Sequence, residues 1–259
     1  MKALLPSLLA VLGSFGPLAA AIVEKPLEYK SGDVVCEGWQ AYDDAVTGPR
    51  PGVLVVHQWT GISDHEKEAA RKLAALGYNV LVADIYGQGV RPQPPAAGKE
   101  AGKYKSDRPL LRARVNAALD VLSHDARTDP SKLAATGYCF GGTTVLELAR
   151  SGTALKGVVS FHGGLDSPTP ADGKNIKAKV LALHGADDPY VPAKDVAAFE
   201  AEMKASGVDY KLVKYPGAVH SFTHKAAGID NSKGAAYNAD ADRDSWFQMA
   251  QFLKSTLGR

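Results

Sequence analysis

Three short segments contain the residue types that a hydrolytic site needs. Residues 137–142 read Gly-Tyr-Cys-Phe-Gly-Gly, and the adjacent carboxylates Asp187 and Asp188 and then His220 follow further along the chain. A cysteine can attack a carbonyl carbon, a histidine can move the proton, and a carboxylate can fix the histidine tautomer. Each segment alone also has a structural explanation, as a buried thiol, a turn or a hydrogen-bonded histidine.

The segment around Cys139 matches the Gly-x-nucleophile-x-Gly turn that joins a strand to a helix. Gly137 and Gly141 let the two backbones pass closely. The turn exposes the sulfur, the N–H of Phe140 is directed at an oxyanion formed there, and the helix N-terminus favours thiolate. The second oxyanion donor should come from residues 57–61, the loop after the first buried strand.

The elements that must position these residues alternate between strands and helices. Short apolar runs predict strands, and apolar residues three or four apart predict helices. The alternation predicts an α/β protein with a mostly parallel sheet and helices on both faces, and with its site at the carboxyl ends of the strands. The predicted strands are 53–57, 80–83, 133–137, 157–161, 180–183 and 210–215, and the predicted helices contain 69–76, 111–122, 145–148, 196–203 and 246–253.

Two further segments have their own predictions. Residues 27–42 are predicted to form an antiparallel edge hairpin. Residues 85–107 contain many glycines and prolines without a clear period, and this favours a long loop beside the site.

Cys139, one of the two aspartates and His220 come in the order nucleophile, acid, base, each after a different predicted strand, which is the α/β-hydrolase order. The chain resembles the dienelactone hydrolase family over about residues 30–256. The matching segments are residues 137–142, Asp188 with residues 190–192, and residues 220–222.

This resemblance implies the α/β-hydrolase fold and hydrolysis of an ester or lactone by the triad Cys139, His220 and Asp188. Asp188 is preferred to Asp187 because the family acid lies four residues before the proline that matches Pro192. The reaction would pass through a thioester, with no metal or organic cofactor. The resemblance assigns the second oxyanion donor to the backbone N–H of Trp59.

Two departures from the family pattern concern the substrate. Gln58 stands where well-known members have a glutamate thought to take the thiol proton, so we hypothesise that His220 alone activates Cys139. His224 stands where they have an arginine that binds a substrate carboxylate, and neutral imidazole is a poor substitute. Gln58 and His224 are the predicted substrate-binding residues. The family has a second carboxylate-binding arginine, for which residues 85–112 offer Arg91, Lys103, Lys105 and Arg108 as alternatives.

Composition limits the classes of protein. The 259 residues, 45% of them hydrophobic, can form a single domain over residues 22–259 and exclude intrinsic disorder. A net charge of +2 gives no field that would recruit nucleic acid or a membrane surface. We expect a monomer that acts on a small ester or lactone. The two cysteines allow one disulfide, two inert thiols or one working thiol.

Residues 1–21 have the layout of a secretory signal peptide: a lysine, an uncharged apolar run and three alanines. Cleavage near Ala21 would give a periplasmic or secreted protein that does not bind membranes. The alternative is a transmembrane anchor, which the short run and its prolines and glycines disfavour.

Two rival functions remain. One is a non-catalytic binding protein with the α/β-hydrolase fold, suggested by Gln58 and His224. The other is a thiol-redox protein, for which Cys36 would have to act as the resolving cysteine without Cys-x-x-Cys spacing. The remaining histidines show no metal-ligand spacing. His57, His162 and His184 are predicted at strand ends, and His65 and His124 on helices facing solvent.

Overall fold

The computed structural model describes residues 21–258. Residues 1–20 of the predicted signal peptide therefore lie outside the described residues. Among the helices of the described range, none combines the length and the apolar character that crossing a bilayer requires.

Eight strands form a single sheet in the described part of the chain. They are β1 (Ile22–Ser31), β2 (Val34–Asp43), β3 (Arg50–Val56), β4 (Asn79–Ala83), β5 (Thr128–Tyr138), β6 (Gly157–Phe161), β7 (Lys179–Gly185) and β8 (Tyr210–Tyr215). Their order is β1-β2-β4-β3-β5-β6-β7-β8. β1 pairs antiparallel with β2 and β2 pairs antiparallel with β4, whereas all other neighbours are parallel.

Helices cover both faces of this sheet, as the alternation predicted. They are α1 (Asp64–Ala75), α2 (Ala96–Ser106), α3 (Arg108–His124), α4 (Phe140–Arg150), α5 (Ala193–Ala205) and α6 (Ala239–Leu257). The apolar faces of α1 and α6 share one buried cluster with the sheet, and those of α2 to α5 share the other.

The central strands are buried because they face helices on both sides. In β3, Val53 and Val55 belong to the cluster of α1 and α6, whereas Leu54 and Val56 belong to the opposite cluster. All seven residues of β3 are buried. The sequence of such a strand is a continuous apolar run rather than an alternating one. The apolar run therefore predicted that β3 lies between two layers of helices.

The start of α1 follows from a capping box. The Ser63 hydroxyl accepts from the His65 N–H, and the Glu66 carboxylate accepts from the Ser63 N–H at 2.9 Å. The Glu66 side chain is fully buried and also accepts from the backbone N–H of Gln58 at 3.2 Å. The cap therefore fixes the loop after β3 as well as the helix.

The prediction of a loop over residues 85–107 is wrong in its second half, because α2 forms there. Its buried residues are Ala97, Ala101 and Tyr104, a spacing of four and then three that is typical of one helix face. Alanine, lysine and glutamate favour helix, and they outweigh Gly98 and Gly102. The predicted edge hairpin is confirmed, although its strands extend to Ile22 and Asp43.

Candidate active site

Cys139 lies in a tight turn between the end of β5 and the start of α4. It has a φ of 55°, in the left-handed region that a non-glycine residue adopts at a cost. A Cβ at Gly137 would collide with the Gly141 carbonyl, and one at Gly141 would collide with the Val56 carbonyl. Glycine at these two positions lets the strand, the turn and the helix pack closely enough to present the thiol.

Of the other two predicted triad residues, His220 contacts this thiol and Asp188 contacts His220. His220 Nε2 lies 3.0 Å from Cys139 Sγ, and His220 Nδ1 lies 2.7 Å from Asp188 Oδ2. Asp188 Oδ1 also accepts from the Tyr190 N–H at 2.8 Å, which orients the carboxylate. Asp187 instead points away, accepting from the Gly217 N–H at 2.9 Å. The three side chains thus form a continuous hydrogen-bonded line.

The charges of this line stabilise one another. Burial by itself favours a neutral thiol, but the His220 imidazolium outweighs it by its charge and hydrogen bond, so the pKa of Cys139 is lowered. Burial also opposes a charged His220, but the Cys139 thiolate and the Asp188 carboxylate raise the pKa of His220 to about 10. Each charge therefore favours the other, so the contact between Cys139 and His220 favours a thiolate–imidazolium pair.

The thiol opens into a cavity of about 360 Å³. Its wall is mostly apolar, and Trp59 and Tyr190 stand at its exposed side, with 38% and 61% of their surface accessible. The lining residues are Trp59, Ala101, Lys105, Cys139, Phe140, Thr143, Gly164, Tyr190, Val191, His220, Ser221 and Ala235. No carboxylate is present among these lining residues.

The two predicted oxyanion donors, Phe140 and Trp59, are held in place by different contacts. The Phe140 backbone N–H is directed at Cys139, where it helps to lower the pKa of the thiol. Trp59 lies on the cavity wall, and its carbonyl accepts from the Tyr86 hydroxyl at 2.9 Å. That bond helps to hold the loop after β3 beside Cys139.

Gln58 and His224 do not line this cavity. Gln58 is 5% exposed, and its Nε2 lies 3.4 Å from His224 Nδ1. His224 borders a second cavity, of about 200 Å³, with His65 and Trp246 among its other lining residues. The two residues contact each other, and their role as substrate contacts stays a prediction.

The prediction that His65 faces solvent is wrong. Its ring packs edge-on against Tyr138 at 4.7 Å and against His224 at 5.1 Å. Burial, and then the nearby His224, lowers the pKa of His65 to about 4. The first turn of α1 therefore packs against the turn that contains Tyr138 and Cys139, and His65 is half-buried there. His124 is exposed, as predicted.

Of the four cations named from residues 85–112, one reaches the site. Lys105 lies on the cavity wall, and its charge contributes to the lowered pKa of Cys139, after burial and the contacts with His220 and Phe140. Arg91 pairs with Asp84, Arg108 with Asp166 and Lys103 with Glu100. No ion pair of Lys105 within 4.0 Å joins it to another residue of the described range.

The sequence predicted His162 at a strand end, with a place on the wall of the pocket as the less favoured alternative. It follows β6, is fully buried and has a φ of 38°. Its Nδ1 lies 3.2 Å from the backbone nitrogen of Cys139, and its ring centroid lies 5.3 Å from that of His220. Gly163 and Gly164 directly after it were the available signal of a tight turn.

Both cysteines are free thiols. Cys36 is fully buried in β2, with Arg114 Nη1 at 3.9 Å from its sulfur. Within residues 21–258, no group of three or more histidine, cysteine or acidic side chains is arranged to hold a metal ion.

The strand order, the crossing helices and the tight turn of Cys139 after β5 together define the α/β-hydrolase fold. A family model described as the dienelactone hydrolase family matches residues 37–257. The chain therefore belongs to the dienelactone hydrolase family and is a hydrolase of the ester and lactone type.

Individual proteins that are similar in sequence or structure have names consistent with this family. The crystal structure of a dienelactone hydrolase-like promiscuous phosphotriesterase from metagenomic libraries is 38% identical with a TM-score of 0.87, over 92% of this chain and 99% of that one. A probable 2-oxo-3-(5-oxofuran-2-ylidene)propanoate lactonase of Bradyrhizobium is 32% identical over 68% of this chain and 75% of its own length. A putative carboxymethylenebutenolidase of Yersinia pestis is 28% identical over 82% of this chain and 81% of its own length.

Proposed function

We propose that this protein hydrolyses small carboxylic esters or lactones through Cys139, His220 and Asp188 and a thioester intermediate. The observation that supports it most strongly is the line of short contacts from Asp188 Oδ2 to His220, at 2.7 Å, and from His220 to Cys139 Sγ, at 3.0 Å. It ends in a cavity large enough for a small ester.

In the first half of the reaction, the Cys139 thiolate attacks the carbonyl carbon and forms a carbon–sulfur bond. The negative charge moves to the carbonyl oxygen, which the N–H groups of Phe140 and Trp59 stabilise. The intermediate then collapses, the ester C–O bond breaks, and His220 Nε2 gives its proton to the leaving oxygen. An acyl thioester and a neutral His220 remain.

In the second half, neutral His220 takes a proton from a water molecule, which attacks the thioester carbon. The second tetrahedral intermediate expels the Cys139 thiolate and releases the carboxylic acid. The thiolate–imidazolium pair is then restored, with Asp188 stabilising the charged ring. Every proton that moves passes through His220, in keeping with the absence of a carboxylate among the described residues that line the cavity.

Gln58 belongs to this proposal because its amide cannot take a proton from the thiol. The nearby carboxylate of Glu66 is already engaged by the N–H groups of Gln58 and Ser63. His220 is therefore the activating group in our account. Gln58→Ala and His224→Ala test the predicted substrate contacts, since loss of a contact made only in binding raises KM with kcat unchanged.

The cavity suggests the substrate class. Trp59, Tyr190 and Val191 offer apolar surface, and Lys105 is the cation on the wall. We expect preference for an ester whose apolar body ends in a carboxylate, because an ammonium in a mostly apolar pocket favours an anion. The names of the Bradyrhizobium and Yersinia relatives, which denote lactone hydrolases, point to the same class.

The rival function is a binding protein of the same fold without catalysis. Hydrolysis of a panel of nitrophenyl esters distinguishes the enzyme from the binding protein. Mass spectrometry of the intact protein after a brief exposure to the same esters then detects an acyl adduct. Turnover and an acyl adduct on Cys139 support the enzyme. Tight binding of the same esters without product or adduct would favour the binding protein.

Export of the mature chain as a monomer without nucleic-acid or membrane affinity remains part of the proposal. It rests on residues 1–21 and on the balanced charge of the chain. Expression of the full chain in a Gram-negative host, with N-terminal sequencing of the periplasmic product, tests it. A start near Ile22 is the expected result, and an intact Met1 in the cytoplasmic fraction would contradict it. Size-exclusion chromatography with light scattering tests the monomer.

A further inference from the structure

Three non-glycine residues have positive φ angles within residues 21–258: Cys139 at 55°, His162 at 38° and Ser221 at 57°. Such conformations cost free energy and persist where the surroundings enforce them. Cys139 is the proposed nucleophile and Ser221 directly follows the proposed base. His162 is the third of the set, and the proposed mechanism assigns it no role.

His162 connects the segments on which the nucleophile and the base stand. Its Nδ1 lies 3.2 Å from the Cys139 nitrogen, whose N–H is shared with the Phe161 carbonyl at 3.0 Å. Its Nε2 lies 2.9 Å from Thr223 Oγ1. Thr223 is three residues after His220, so the imidazole ring spans the space between the two loops.

These partners fix the protonation state of the ring. A backbone N–H can only donate, so His162 Nδ1 must accept, and the proton of the neutral ring is on Nε2. Nε2 then donates to the Thr223 hydroxyl. A proton on Nδ1 would place two N–H groups against each other and break the contact with Cys139.

The groups around His162 also disfavour a charged ring. Burial lowers the pKa of His162 well below its ordinary value, and the charge of His220 adds to this effect, followed by His65 and His224. Two further rings pack against it: Phe222, which carries no charge, and Tyr138, whose burial raises its pKa so that it stays a neutral phenol. His162 is therefore a neutral acceptor beside the His220 imidazolium.

We infer that His162 is a positioning residue: its Nδ1 holds the strained turn of Cys139, and its Nε2–H ties that turn to the segment of His220. The inference rests on the proposed function. Without this link, the thiolate, the imidazolium and the Phe140 N–H would each keep their chemistry but lose their mutual alignment. Misalignment of this kind lowers the rate of the chemical step more than it weakens substrate binding.

Two substitutions at His162 distinguish the effect of losing its hydrogen-bond acceptor from the effect of changing its backbone conformation. Both glycine and asparagine adopt a positive φ readily. His162→Gly loses the acceptor, whereas the Oδ1 of His162→Asn stands at the same branch of the side chain as Nδ1 and can accept. We expect kcat for a nitrophenyl ester to fall about 30-fold in His162→Gly and about threefold in His162→Asn, with KM within about twofold in both.

Thr223 supplies a second pair that leaves the histidine in place. Thr223→Val has nearly the same shape but leaves the Nε2–H without an acceptor, and Thr223→Ser keeps the hydroxyl. We expect kcat to fall about fivefold to tenfold in the valine variant and less than twofold in the serine variant. This pair decides the question if His162→Gly fails to fold, as judged by circular dichroism and thermal unfolding.

A second readout does not depend on ester hydrolysis. The rate of Cys139 alkylation by iodoacetamide at about pH 6 reports how well the imidazolium stabilises the thiolate. It should fall in His162→Gly and Thr223→Val and be restored in His162→Asn and Thr223→Ser. Equal kcat and alkylation rates in the two members of both pairs would overturn the inference, as would an effect on KM or thermal stability alone. In either case, hydrolysis by the parent protein that is lost in Cys139→Ala would leave the proposed function intact.

Discussion

The two cysteines occupy contrasting environments, although both are largely removed from solvent and both lie near a cationic side chain. Cys36 is enclosed in β2, where burial, and next the Asp84 carboxylate, raises its pKa while Arg114 opposes them only weakly at 3.9 Å. At Cys139, burial acts in the same direction, but His220 at 3.0 Å reverses the outcome and the pKa is lowered. One site favours a thiol and the other a thiolate.

The difference shows that burial does not decide the reactivity of a cysteine. Around Cys36, a regular antiparallel strand pair directs the sulfur into the core. Around Cys139, a strained turn raises the sulfur to a cavity and a hydrogen-bonded cation compensates its charge. The backbone conformation and the distance to the cation account for the contrast.

Removing each thiol in turn gives the largest expected difference between the two regions. Cys139→Ala should lower kcat/KM for a nitrophenyl ester by about 1,000-fold or more, since the nucleophile is lost. Cys36→Ala should change it less than about twofold, because that thiol is outside the cavity. Steady-state kinetics on the two variants measures both effects. A large loss of activity in Cys36→Ala alone would reverse the assignment.

Removing the negative charge of Asp188 beside His220 should have the next largest effect on activity. Asp188→Asn keeps the size of the side chain but removes the negative charge that stabilises the imidazolium and fixes its tautomer. We expect kcat to fall by about 100-fold to 1,000-fold, with KM nearly unchanged. Asp187→Asn is the matched control, since Asp187 contacts Gly217 rather than His220. Equal losses in the two variants would contradict the assignment of Asp188.

The cation on the cavity wall should have a smaller and substrate-dependent effect. Lys105→Gln should lower kcat/KM about tenfold for an ester that ends in a carboxylate and less than threefold for a neutral ester of similar size. Lys103→Gln, on the same helix but paired with Glu100, is the control. Equal effects on the charged and the neutral ester would show that Lys105 does not select the substrate.

The smallest expected effect concerns stability at the structural cysteine. Cys36 is fully buried and packs in the larger apolar cluster. Cys36→Ala should lower the free energy of unfolding by about 1 kcal/mol, because a small buried group is removed. Chemical denaturation of the variant measures it. An unchanged midpoint would mean that the thiol adds nothing to packing at this position.

Much of the fold was predictable because its signals are local. The parallel strands are continuous apolar runs, and the capping box at Ser63 and Glu66 marks the start of α1. The helix α2 was missed, because its apolar face consists of two alanines and one tyrosine between glycines. A short, weakly apolar helix is hard to separate from a loop until its packing partners are known.

The candidate site was predictable where a residue type directly indicates its chemistry. Cys139, Asp188 and His220 each follow a strand, and their order along the chain is that of a nucleophile, an acid and a base. His162 and His65 could not be assigned in this way. Their contacts are with residues far away in sequence. Gly163 and Gly164 indicate a tight turn after His162, but they do not indicate which side chains that turn brings together.

The central claim is that His220 keeps Cys139 as a thiolate. The most direct measurement is the rate of Cys139 alkylation by iodoacetamide as a function of pH, located by peptide mass spectrometry, in the parent protein and in His220→Ala. Because its thiol pKa is lowered, the parent should keep reacting at pH values at which His220→Ala has become slow, and His220→Ala should react only as pH approaches the ordinary thiol pKa of about 8.5. Cys36 should stay unmodified in both. An identical pH profile in the parent and in His220→Ala would contradict the account.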